Sequence, residues 1–145
     1  MGHYHDVQSE LRGPYRRLGE LIPSVVSAYA TLHRGAMEDG ALSAKTKELV
    51  ALAIAVTREC DGCIAAHARG AARRGATEAE VAEVIGVTIL MNGGPGTVWG
   101  PRALEAFQEY SATEAARAPA ATEAPTAPEA PPATAAPGAA PPARS

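Results

Sequence analysis

Aromatic residues make up only 4% of this 145-residue chain. Single-stranded nucleic acids are gripped by stacked aromatics inside a basic groove. Neither ingredient is present, because the net charge is −3. A membrane span needs about 20 consecutive apolar residues. The most apolar stretch, Leu49 to Val56, is far shorter. No basic segment followed by an apolar one stands near Met1, so no signal peptide is expected and a cytoplasmic location is. Period-2 alternation with β-branched enrichment is missing throughout, which leaves an all-α fold of five to seven helices. Cysteine is scarce too. The chain has two, and both fall in one short stretch.

Taken in order, residues 1–22 are a mixed N-terminal segment. Tyr15, Leu18, Leu21 and Ile22 suggest no more than a short amphipathic turn. Pro23 suits the first turn of a helix. Val25, Val26, Tyr29, Leu32, His33 and Ala36 continue it at helical spacing, and Gly40 can stop it. Ser43 reads as the cap of a helix over 44–57 that is apolar nearly all round, as suits a bundle centre or an interface. Glu48 is an acid at its edge. An Ala- and Gly-rich helix over 61–74 follows, with Gly75 placed to end it in a left-handed cap. Thr77 to Glu80 fits a capping box. Val81, Val84, Ile85, Thr88 and Ile89 give the next helix one apolar face. Residues 92–96, Asn-Gly-Gly-Pro-Gly, read as a turn, and Leu104 and Phe107 mark a last short helix ending near Tyr110. The helical core is thus expected over 23–111. The stretch 112–145 is an Ala/Pro-rich tail that cannot bury enough apolar surface to offset its ordering entropy, and it is expected to be disordered.

The stretch Cys60-Asp61-Gly62-Cys63-Ile64-Ala65-Ala66-His67 carries the chemistry. On a helix, residues four apart share a face. His67 therefore lies beside Cys63 if a helix starts here. Cys60 and Cys63 can close into a disulfide where their geometry allows. A thiolate at a helix N-terminus is stabilised by free N–H groups, so its pKa is expected to fall. Dithiol, base and helix start together describe a redox-active site. His67 can take the Cys63 proton and Glu48 can orient or recharge His67.

Glu48, Cys60, Cys63 and His67 stand in the pattern E-x11-C-x2-C-x3-H. Together with the flanks Leu42 to Leu49, Gly75-Ala76-Thr77 and Met91 to Pro95, this pattern resembles the alkyl hydroperoxidase D (AhpD)-like branch of the carboxymuconolactone decarboxylase superfamily, over roughly Pro23 to Phe107. The resemblance implies an AhpD-like all-helical bundle that assembles into homotrimers or homohexamers. It also implies a thiol peroxidase or disulfide reductase needing no metal or flavin. Cys63 would attack the peroxide, Cys60 would close the redox disulfide, and Glu48 and His67 would relay the proton. An external dithiol or protein reductant would reopen the disulfide. One position departs from the pattern: several members carry a histidine or an aromatic residue between the cysteines, where this chain has Gly62.

Other readings compete. The dithiol can serve a non-catalytic redox sensor or assembly module. Glu48 and His67 can serve a lactone decarboxylase-type acid–base enzyme, although that branch lacks the cysteine pair. Zinc on Cys60, Cys63 and His67 lacks a fourth ligand, for which His3, His5 and His33 qualify only by count. Glu59 is a rival acid, expected to be a solvated terminus. Asp61 is a candidate helix cap. Trp99 and Tyr110 are expected to be packing or interface residues.

Overall fold

The computed structural model describes residues 2–117. Six helices run along them: α1 (His3–Leu21), α2 (Pro23–Met37), α3 (Ala44–Thr57), α4 (Asp61–Arg73), α5 (Glu78–Asn92) and α6 (Gly94–Arg117). Among the described residues there is no strand. The all-α expectation holds. The disorder expected of the tail concerns residues that, from 118 onward, lie outside the described ones.

α4 is the hub, packing chiefly on α6 and α3 and also on α1. Its inward side is Ile64, Ala65, Ala68 and Ala71, all fully buried. Small side chains let the neighbouring backbones come close, and Leu52 and Val56 of α3 and Ala103, Ala106 and Phe107 of α6 fill the space around them. Local signals act where the sequence places them. The Ser43 hydroxyl accepts the Thr46 N–H at 3.1 Å. Thr77 and Glu80 form a reciprocal capping box. Gly75 takes φ +71° just after α4, a conformation that suits glycine.

Three expectations change. The N-terminal segment is a helix of 19 residues, not a short turn. Gly13 and Pro14 lie inside it, but both are exposed, so the carbonyl left without a partner by Pro14 meets water. Docking on α6 holds the start of α1. The Tyr4 N–H donates to Glu109 Oε2 at 3.0 Å, and the buried Tyr110 hydroxyl donates to the Tyr4 carbonyl at 2.9 Å. Second, the turn over 92–96 shrinks to Gly93, at φ +65° between the end of α5 and the start of α6. Pro95 falls in the first turn of α6, where proline is tolerated. Gly96 and Gly100 bring α6 against Ile89 and Ile85 of α5. Third, the last helix is 24 residues long and runs on to Arg117, so residues 112–117 are helical.

α2 differs from the rest. None of its residues is buried, and Val25, Tyr29 and Leu32 are each about 60% exposed or more. Its apolar spacing made a helix with no buried residue in this chain.

Candidate functional site

The dithiol sits where α3 hands over to α4. Arg58 ends α3, and Glu59 turns the chain with φ +53°, a left-handed conformation that costs a non-glycine residue about 1 kcal/mol. Glu59 is exposed. The turn sets Cys60 in extended backbone as the cap of α4, and its sulfur accepts the Cys63 N–H at 3.3 Å. The cap is therefore a cysteine sulfur and not Asp61, which is the first helical residue. Cys60 and Cys63 are unbridged, Cys60 half-buried and Cys63 reaching solvent.

The expected fall in the Cys63 pKa is overturned. Burial, then the hydrogen bond with Cys60, then the charge of Cys60 push the Cys63 thiol up to about 11. Burial is the largest cause, and the cap gives no relief, because the free N–H at the helix start serves the Cys60 sulfur. Cys63 is thus held as a thiol near neutral pH, and chemistry there requires a base.

One turn further along α4 stands His67. Its Nδ1 lies 2.8 Å from Glu48 Oε2. Glu48 is 3% exposed, and its other oxygen, Oε1, accepts the Arg74 Nη1–H at 2.8 Å. A buried carboxylate paired with a guanidinium stays ionised and can only accept. Nδ1 therefore carries the hydrogen, and Nε2 is left to accept or hold a second proton. Room for this arrangement comes from Gly70, three residues after His67, where a Cβ would overlap the Glu48 carboxyl group. Arg74 and Gly70 carry no signal of their own in the sequence; they are legible only once Glu48 is known to enter α4 from the side.

Cys63 and His67 open onto a cavity of about 670 Å³ between α1, α2 and α4. Leu11, Tyr15, Leu18 and Tyr29 give it an apolar wall. His33 of α2 also lines it, its ring centroid 6.4 Å from that of His67 and the planes 22° apart. In the sequence His33 was only one histidine at helical spacing, four residues after Tyr29. Gly62 is explained by the same wall: a Cβ there would meet Leu11 Cδ1 at 3.0 Å. α1 therefore occupies the space that a larger residue at position 62 would need. His5 lies elsewhere, against Glu109 and Thr113 of α6. Among the described residues, no three of His, Cys, Asp and Glu are grouped as a metal site requires.

The sequence pattern of the carboxymuconolactone decarboxylase family matches residues 23–109. The chain belongs to the carboxymuconolactone decarboxylase family. An uncharacterised protein of Cupriavidus necator is 38% identical over 104 residues, which are 72% of this chain and 92% of that protein. One from Haemophilus influenzae is 42% identical over 104 residues, with the same coverage of 72% and 92%. Among solved structures, a carboxymuconolactone decarboxylase family protein from Legionella pneumophila, in its apo form, superposes with a TM-score of 0.72 at 34% identity. That match covers 74% of this chain and 96% of the Legionella chain. The family match begins at Pro23, the first residue of α2, and so leaves α1 outside it.

Proposed function

We propose that this family member is a CxxC-dependent thiol peroxidase or disulfide reductase of the AhpD-like kind, with Cys63 as nucleophile. The carrying observation is half-buried His67 on the same cavity as Cys63, backed by buried Glu48 at 2.8 Å. A thiol pushed up to about 11 needs a base in place before it can attack. His67, held by an ionised carboxylate, is that base.

In the proposed reaction, Nε2 of His67 takes the Cys63 proton. The thiolate attacks one peroxide oxygen; an S–O bond forms and the O–O bond breaks. The leaving alkoxide or hydroxide takes the proton back from His67, giving an alcohol or water. Cys60 then attacks the sulfenic sulfur of Cys63, expelling water and closing the disulfide before further oxidation. An external dithiol supplies the two electrons that reopen it. The partner that covers α2 in this reading is a further copy of the chain, in a homotrimer or homohexamer.

The test is a thiol titration before and after one equivalent of hydrogen peroxide, with Cys63→Ser alongside. Loss of both thiols, reversed by a dithiol reductant and absent in the variant, is the expected result. Thiols that survive peroxide overturn the peroxidase reading. Turnover of a lactone that is indifferent to thiol alkylation would assign Glu48 and His67 to acid–base chemistry instead.

A further inference from the structure

The apolar cavity above Cys63 does not end at its apolar wall. Gln8, Arg12 and Arg69 line it and also line a second cavity of about 230 Å³ between α1, α4 and α6. The second is polar and cationic. Arg73 and Arg117 join the two shared arginines there, facing Asp6 and Glu114. Arg73 and Arg117 are both spent on Glu114, at 3.3 and 3.4 Å. Arg12 and Arg69 make no ion pair among the described residues. They belong to different helices, yet both stand at the junction of the two cavities.

Helix geometry gives the reach. Gly62, Ala66 and Arg69 follow one face of α4. Arg69 is six residues beyond Cys63, about 9 Å along the helix axis. A ligand lying along this face would put one end at the Cys63 thiol. Its apolar body would pass Leu11 and Tyr15, and its other end would arrive between two guanidinium groups. A guanidinium is built to take a carboxylate through two parallel hydrogen bonds.

We infer that the site takes amphiphilic anions: a carboxylate head held at Arg12 and Arg69, with an aliphatic body filling the cavity over Cys63 and His67. Resting on the proposed peroxidase reading, this makes the substrate a fatty-acid hydroperoxide. Its O–O bond is cleaved by Cys63 with the proton returned from His67, so that a hydroxy acid leaves and the dithiol is oxidised. Arg12 and Arg69 are specificity residues, remote from the reacting oxygens. α1 supplies Arg12, Leu11 and Tyr15, so this recognition belongs to the helix that the family pattern leaves out.

The test separates binding from turnover. Alkylation of Cys63 in the full-length Cys60→Ala protein is followed with decanoate or decanol present. Decanoate is expected to protect at about tenfold lower concentration than decanol, the worth of one charge-assisted contact. The difference is expected to vanish in Arg12→Gln/Arg69→Gln and to return in Arg12→Lys/Arg69→Lys, which keeps the charges and shows that the pocket still folds. Equal protection by acid and alcohol, protection by neither, or a preference that survives the double Gln variant overturns the inference. Protection that depends only on protein concentration also overturns it, and assigns the cavity to a second copy of the chain. None of these outcomes depends on peroxide. Failure of the peroxidase reading shows separately, as thiols that survive hydrogen peroxide.

Discussion

The carboxylate of Glu48 occupies the volume that any side chain at position 70 would claim. Gly70→Ala is therefore an overpacking change, expected to cost about 1–3 kcal/mol. It should also pull Glu48 from His67 and slow the oxidation of Cys63. Gly86, in α5, has nothing near its missing Cβ, so Gly86→Ala should stabilise by about 0.5–1 kcal/mol. Urea denaturation of the two variants checks the opposite signs.

Glu48→Gln keeps the shape and removes the charge. Arg74, partly exposed, can turn to water. His67 cannot compensate, because its Nδ1 loses an ionised acceptor. Cys63 oxidation by hydrogen peroxide should fall about a hundredfold, read by stopped-flow thiol loss. A rate within twofold of the parent would remove Glu48 from the proton path.

Cys60→Ala removes the hydrogen bond and the charge that raise the Cys63 pKa, and leaves burial in place. The midpoint of Cys63 alkylation should move down from about 11 but stay above that of a free thiol. The sign is the informative part: a midpoint that rises would mean that Cys60 had been stabilising the Cys63 thiolate.

His33 stacks loosely on His67. His33→Ala should slow Cys63 oxidation about threefold, within the range of one aromatic contact. His33→Phe should restore the rate, since a ring is all that stacking needs. If Phe is as slow as Ala, His33 carries a proton and is more than a support.

Gly62→Phe tests the wall. A ring at position 62 has to displace Leu11. Loss of helicity near α1, followed by hydrogen exchange of residues 8–15, is the expected consequence, with α3 and α5 unaffected.

Helix α3 was readable to the residue, because Ser43 caps it and a single apolar run fills it. The start of α4 and the capping box of α5 were equally plain. Each of these is a local signal, complete within one turn of chain. α1 and α6 were not, since Gly13-Pro14 and Gly93 to Gly96 look like breaks; the first pair is tolerated because it is exposed, and Gly96 is needed for the close approach to Ile89 of α5. In the site, the four residues of the motif stood out by spacing. Arg74 and Gly70 did not: an arginine after a helix and a glycine inside one acquire meaning only from a third residue on another helix. The rise in the Cys63 pKa is hidden from the sequence for a related reason, since the burial behind it comes from packing. Which sulfur receives the helix-end N–H depends on the cap conformation, and spacing does not determine it.

Glu48 has two oxygens and both are occupied, one by His67 and one by Arg74. The group is buried and does not line the cavity. All its influence therefore leaves through a single imidazole nitrogen. In the proposed cycle the other nitrogen of that ring, Nε2, must serve the peroxide first and the closing disulfide second, one proton at a time. The order of events is thereby imposed by wiring, and a second acid arriving early would have nowhere to connect.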